Sequence, residues 1–424
     1  MTTHLQKLLL LSVIALPGII TNPASAQARQ FAPAALQADL RFAIDTIERQ
    51  HPDLTHSVTR ARLDAAVERV RQQLDQPMDQ TRAWTILAQL NPVLADAHLF
   101  IGLPDWRTKS AEAVRAGTVF FPFEITLDAA GYPVVVSALG GSATPLAGRR
   151  IRSIDGRDAR DVARTLLARV HGDTPAFRAA LLSRRWWLFF SSIYGTPATY
   201  DFVLKGSRKQ HRVPAASVLP AVLQQDASFE RQFACQTDVR GTARLKVAAF
   251  SWEDKQRFFR FTRDCFARIR SASIKRLVID VSANGGGDDD MWKDGILRYI
   301  ATEPYKQGST YRKRERTGAI TTGAIETATN PVSDEPLHFS GDVSVVIGPL
   351  TYSSAVLFSN VVRDYRMGTL VGTGGTARTR QSGGVQNVKL PNTGLLFSYP
   401  RFVLDPPSGT KAPTYLQPTV RGQL

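Results

Sequence analysis

Apolar residues recur at helical spacing through the first quarter of the chain. Leu36, Leu40, Ala43, Ile44 and Ile47 form one stripe, Leu63, Val67, Val70 and Leu74 a second, and Trp84, Leu87, Leu90 and Leu94 a third. Spacings of three and four predict amphipathic helices packed by one face. The third helix runs out in Leu94-Ala95-Asp96-Ala97-His98, with His98 just past its end. From about Gly117 to Pro214 the pattern changes. Val119-Phe120-Phe121, Pro133 to Val136 and Thr199 to Leu204 read as strands. Gly148 to Gly156 reads as a strand entering an Asp155-Gly156 turn. A helix over Asp161 to Val170 and an aromatic helical stretch around Trp186 to Phe190 complete a small α/β module.

From about Gly241 a larger α/β unit begins. Arg244 to Phe250 predicts a strand, and Phe258, Phe261, Cys265, Phe266 and Ile269 mark a helix. Leu277-Val278-Ile279-Asp280-Val281 is almost continuously apolar, as expected of a strand buried on both faces. Ser282-Ala283-Asn284-Gly285-Gly286-Gly287 follows, then a helix around Met291 to Ile300. Val343 to Ile347, Thr369 to Gly372 and Leu395 to Ser398 predict further strands. These patterns divide the chain into residues 27–115, helical; 116–215, mixed α/β; and 216–424, a larger α/β core.

The 424 residues suffice for two or three domains, and 43% hydrophobic with 21% charged residues is ordinary globular composition. The N-terminus departs from it. Lys7 precedes an apolar run from Leu8 to Ile20, and Ala24-Ser25-Ala26 follows, which predicts a secretory signal peptide over residues 1–26. The run is too short to span a bilayer, and no later segment is long and apolar enough to do so. The expected mature protein starts at Gln27 and is periplasmic or secreted. Its net charge falls from +16 to +15 with the loss of Lys7. That charge suits contact with an anionic envelope surface. It is spread along the chain without aromatic interleaving, so no nucleic-acid role is expected. Cys235 and Cys265 are the only cysteines; an oxidising compartment permits a bond between them, but spacing does not decide it. No Cys/His cluster has metal-site spacing, and neither metal nor organic cofactor is expected.

Candidate chemistry lies at two strand ends. Gly348-Pro349-Leu350-Thr351-Tyr352-Ser353-Ser354 joins the Val343–Ile347 strand to a helix carrying Ala355, Phe358 and Val362. A serine at a helix entrance is either a cap or an exposed nucleophile whose oxyanion the free N–H groups would stabilise. The triple glycine ends another buried strand, where open α/β sheets place ligands. No Gly-Lys-Ser/Thr follows, and Asp288 to Asp290 would repel phosphate, so an oxyanion role is preferred. Serine needs a base near neutral pH. Of the six histidines beyond the signal segment, His98 has the most apolar context.

Together these segments resemble the tail-specific (C-terminal processing) protease family and its tricorn-core relatives. Leu277 to Gly287 resembles that family's strand and Asn-Gly-Gly-Gly turn. Thr351-Tyr352-Ser353-Ser354-Ala355 resembles its Thr-x-Ser-x-Ala segment. Val371-Gly372 with Gly383-Gly384-Val385-Gln386 resembles its Val-Gly and Gly-x-Val-Gln stretch, and Asp96-Ala97-His98 its Asp-Gly-His segment. The resemblance implies a crotonase-like α/β core, a PDZ-like module around Gly148 to Gly156, and a serine-type endopeptidase acting on polypeptides. It implies Ser353 as nucleophile and His98 as base, with an oxyanion site from the Ser354 N–H and one from Gly286 or Gly287.

Two departures qualify this. The lysine of the lysine-using branch is replaced by Ser382, which favours a Ser353–His98 pair and leaves Lys389 as a fallback base. No glutamate follows Ser353; Asp405 is the remaining candidate to orient His98. If nothing orients His98, the alternative is a weak or inactive pseudoprotease that binds peptides or envelope components.

Overall fold

The computed structural model describes residues 29–315, 317–410 and 414–421. The expected signal peptide lies outside the described residues.

Strands buried on both faces build the centre. The run around Leu277 forms the strand Arg276–Asp280, flanked on both sides by parallel neighbours, Thr242–Val247 and Asp342–Ile347. The full sheet has six strands in the order Val420–Arg421, Thr369–Gly372, Asp342–Ile347, Arg276–Asp280, Thr242–Val247 and Phe233–Thr237. All neighbours are parallel except the last pair. Two helices pack on it as patterned. Lys255–Ser271 buries Phe258, Cys265, Phe266 and Ile269, and Asp254 caps its start by accepting from the Arg257 N–H. Ser354–Asp364 is buried over its first nine residues. A disulfide joins Cys235 on the edge strand to Cys265 on the helix beside it, with the Cα atoms 5.9 Å apart.

The expected regular helix over Met291 to Ile300 is instead a helical turn, a π turn at Lys293–Leu297 and a further turn. Gly295 lies there against the Phe258 ring, where a Cβ would stand 2.5 Å from the ring edge. A wide turn at a tight helix contact is a common site for such a bulge.

The N-terminal stripes fold as Pro33–Gln50, Arg60–Gln72 and Gln80–Leu87, burying Leu36, Leu40, Leu63, Val70, Trp84 and Leu87. They are tied to the far end of the chain. Fully buried Asp39 accepts from the backbone N–H groups and side chains of Asn392 and Thr393. The strand Phe100–Gly102 pairs antiparallel with Leu396–Tyr399, Phe100 opposite Ser398. A four-stranded sheet unannounced by alternation pairs Ile320–Ala324, Thr310–Arg314, Phe402–Leu404 and Gln381–Gly383. Its Ser382 lies opposite Val403.

In the middle region Ile151–Ile154 leads into the expected turn, where Asp155 and Gly156 both take positive φ (49° and 76°), and pairs with Thr199–Leu204. The aromatic stretch becomes the helix Pro175–Tyr194, packed through Trp186 and Phe190 on Phe121 and Tyr200. It is kinked at Arg185 (φ −130°, ψ 21°). The expected strand at Val119 to Phe121 is reduced to one bridge, Phe120 to Ala216.

Candidate active site

The turn after Asp342–Ile347 is locked before it reaches Ser353. The Thr351 hydroxyl accepts from the Gly348 N–H at 2.9 Å and donates to the Val281 carbonyl at 2.8 Å. Ser353 then adopts φ 53°, ψ −127°, an unusual conformation for a residue with a side chain. Such backbone costs on the order of 1–3 kcal/mol and persists only where its surroundings impose it. Here the Ser353 N–H donates to Gln381 Oε1 at 3.1 Å, and its carbonyl accepts from Val356 and Leu357. Ser353 occupies the cap position of helix Ser354–Asp364, but its side chain makes no capping hydrogen bond. The simple cap reading therefore fails.

The glycine turn packs directly against this elbow. Buried Asn284 donates to the Val247 carbonyl, accepts from the Gly286 N–H at 2.8 Å and, through its own carbonyl, accepts from the Tyr352 N–H. At Gly286 (φ 101°) a Cβ would meet Ser353 Cβ at 2.5 Å and the Ser354 nitrogen at 2.9 Å. At Gly287 (φ 140°) it would meet the Phe250 carbonyl oxygen at 1.9 Å. Only glycine permits either approach. The three oxyanion candidates thus differ. The Gly286 N–H is already taken by Asn284. Those of Gly287 and Ser354 donate to no protein group among the described residues. The Ser354 hydroxyl donates to the Gly287 carbonyl at 2.7 Å, fixing these two residues together.

His98 arrives from the other end of the chain. Its N–H donates to Asp96 Oδ1 at 2.7 Å, and its carbonyl accepts from the Ser398 hydroxyl on the partner strand. Its Nδ1 lies 2.9 Å from Ser382 Oγ, which lies 2.9 Å from Asp96 Oδ1. Asp96 is fully buried. A carboxylate only accepts, so the single Ser382 proton goes to Asp96, and Ser382 accepts from His98 Nδ1–H. This fixes the tautomer: Nδ1 carries the proton, and Nε2 keeps its lone pair. Ser382, the residue in place of the expected lysine, is therefore the link between His98 and a carboxylate.

The network continues beneath. Tyr352 OH donates to Asp173 Oδ1 at 2.8 Å, lies 3.3 Å from Asp96 Oδ1 and accepts from the Ala97 N–H. Asp173 accepts from the Arg378 N–H and pairs with its guanidinium at 3.3 Å. Burial lowers the pKa of His98 below its ordinary 6.5, and the charge of Asp96 and the contact with Ser382 offset only part of that. The ring is neutral at neutral pH. It lies 4.9 Å from the Tyr352 ring, next to Ser353, though no hydrogen bond joins it to the Ser353 hydroxyl among the described residues.

Two expectations are corrected. Asp405 does not reach His98; it pairs with Arg380 at 2.8 Å and accepts from the Thr310 hydroxyl. Lys389 ends the strand Gln386–Lys389 exposed to solvent, in a groove with Asp79, Gln80 and Asn392 rather than in the cleft lined by His98 and Gly286. Asp96 and Ser382 stood in the segments singled out, but sequence gave neither a positioning role. Asp173 carried no signal at all. Among the described residues, no three His, Cys, Asp or Glu side chains are placed to hold a metal, and no helix is long and apolar enough to cross a membrane.

A cleft of about 320 Å³ opens beside the elbow, lined by His98, Gly285, Gly286 and Tyr352 together with Arg184 and Arg185. The two CPAF structures share the architecture. Mature CPAF aligns at 15% identity with a TM-score of 0.62, covering 91% of this chain and 92% of that one. A serine-to-alanine mutant of CPAF aligns at 15% identity and a TM-score of 0.66, with the same coverages. The photosystem II D1 C-terminal processing protease aligns at 15% identity and 0.46, over 91% and 92%. No curated protein matches the sequence. The family model described as Peptidase family S41 matches residues 241–421, the segment holding the glycine turn, the Ser353 elbow and Ser382.

Proposed function

We propose that the protein is an exported serine-type endopeptidase in which Ser353 is the nucleophile and His98 the general base. The Ser353 hydroxyl attacks a peptide carbonyl, and its proton passes to His98 Nε2. The carbonyl becomes an oxyanion facing the N–H groups of Gly287 and Ser354. His98 returns the proton to the leaving amine, leaving an acyl ester on Ser353. Water then attacks that ester by the same base, releasing the acid and restoring the hydroxyl.

The observation that carries this reading is the Ser382 bridge, which leaves His98 with its lone pair on Nε2 and a buried carboxylate behind it. The strained Ser353 backbone and its uncapping side chain support the same assignment. The Cys235–Cys265 disulfide suits an oxidising compartment and so supports export after residue 26. We assign residues 27–115 to an N-terminal helical domain, 116–215 to a PDZ-like module presenting substrate, and 216–424 to a crotonase-like catalytic core. The net positive charge suits contact with an anionic envelope surface.

Fluorophosphonate labelling of the mature protein tests the chemistry. Labelling lost in both Ser353→Ala and His98→Ala is expected. Wild-type protein that folds and does not label would refute the hydrolase and leave a peptide-binding cleft.

A further inference from the structure

The lining of the cleft that holds His98 is cationic beyond what its carboxylates neutralise. Arg107, Arg184 and Arg185 line it, with Asp226 as the single acidic residue. Arg107 pairs with Asp226 at 2.8 Å. Arg184 donates to the Ala283 carbonyl and to Gln225 Oε1, both neutral, and among the described residues forms no direct ion pair, with Asp226 and Glu124 acting on it only at longer range. Arg185 forms no hydrogen bond and no ion pair among the described residues. Its guanidinium rests over the Trp106 ring at 4.7 Å, and Arg107 lies over the same ring at 4.4 Å.

Arg185 is placed there at a cost. It sits at the kink of helix Pro175–Tyr194, outside helical backbone angles. Burial and the like charges of Arg107 and Arg184 pull its pKa down to about 9, with the Asp226 charge offsetting only part, and it is still cationic at neutral pH. A desolvated cation with no direct ion pair is unfavourable, and one that opens into a cleft is relieved when an anion enters. A planar guanidinium fork, aligned by an aromatic ring, matches the geometry of a carboxylate.

We propose that Arg185, with Arg184 beside it, forms a carboxylate-recognition subsite, so that the cleft prefers peptides placing an acidic group next to the bond facing Ser353. This rests on the peptidase reading above and names the substrate class for it. The carboxylate comes either from an aspartate or glutamate side chain or from a free peptide C-terminus, and both present the same fork to the arginine.

The test separates binding from cleavage. Ser353→Ala protein is titrated with fluorescent peptides of one sequence carrying glutamate or glutamine at each position in turn, each with a free or an amidated C-terminus. One well-placed charged hydrogen-bonded contact corresponds to about 10–100-fold in Kd. A glutamate peptide binding about 10-fold or more tighter than its glutamine twin, whatever its terminus, assigns the subsite to a side chain. Loss of binding on amidation assigns it to the C-terminus. In either case Arg185→Gln should reduce the preference towards unity and Arg185→Lys should keep part of it. Equal binding of all four peptide forms overturns the proposal. The peptide comparison stands even if an Arg185 variant misfolds. Because binding is read without turnover, a protein that discriminates carboxylates but fails to label would refute the hydrolase and leave the subsite intact.

Discussion

Replacing Ser382 with alanine removes one oxygen and isolates His98 from its carboxylate. Ser382 Oγ is 2.9 Å from both His98 Nδ1 and Asp96 Oδ1, and no other side chain joins the two. In the variant, Nδ1–H loses its acceptor, and the imidazolium formed on proton transfer loses its coupling to Asp96. Hydrogen bonds that involve a charged group contribute about 1.5–3 kcal/mol, which predicts a rate about 10–150-fold slower. The ceiling is the ~10⁴-fold loss reported where an orienting carboxylate itself is replaced in a serine triad. Asp96 stays in place here, still accepting from the His98 N–H at 2.7 Å, so the smaller figure applies. The assay is the rate of fluorophosphonate labelling between pH 5 and 8, with thermal unfolding measured beside it. The base acts only when neutral, so labelling falls as pH drops through the His98 pKa, which lies below 6.5. Ser382→Ala should lower the plateau but leave its acid limb in place, because the part of Ser382 that raises the His98 pKa is its backbone, which the variant keeps. Ser382→Thr, which keeps the hydroxyl, should retain most of the rate. A folded Ser382→Ala protein that labels within twofold of wild type at every pH would refute the bridge. Equal losses in the alanine and threonine variants would reduce it to packing.

Gly286→Ala should abolish labelling and lower thermal stability, because its Cβ would stand 2.5 Å from Ser353 Cβ on a backbone with φ 101°; unchanged labelling would show that the elbow shifts freely. Reducing the Cys235–Cys265 disulfide, which closes a loop with sequence separation 30, should cost about 3–4 kcal/mol on the chain-entropy account; denaturant midpoints with and without reductant measure it. Acid should destabilise the fold: burial holds His56 near 4 and His171 near 3, so below pH 6.5 the unfolded chain binds a proton at each that the native state refuses, and burial acts in the same direction on His51 and His98. Asp173, pushed up to about 6 by burial and the Asp96 charge, binds one in the native state and offsets part, leaving a loss of at least about 2–3 kcal/mol from pH 7 to 5 from these three groups; stability flat over that range in urea titrations would contradict this. Lys389→Ala should label at the wild-type rate, since the side chain is exposed in a groove other than the cleft lined by His98 and Gly286; a tenfold loss would reinstate it as the base.

Much of this protein is set by short-range pattern. The apolar stripes of the first three helices, the doubly buried run at Leu277 to Val281 and the Asp155-Gly156 turn were legible, because each depends on side chains a few residues apart. So were Ser353 and the glycine turn, whose conformations are written in their own strand-turn-helix segments. The strand Phe100–Gly102 and the sheet containing Ser382 were not. Those strands are short, lack alternation and are stabilised by pairing with segments far along the chain. The orienting group for His98 was sought as a late acidic residue, and Asp405 was the candidate left. Tertiary structure supplied it from Asp96, two residues before the histidine, through a serine 284 residues after it. Sequence determined which groups were present and how each local backbone would bend. Which of them meet was decided by long-range strand pairing and by the buried Asp39 contact to Asn392 and Thr393, since those interactions carry no local period.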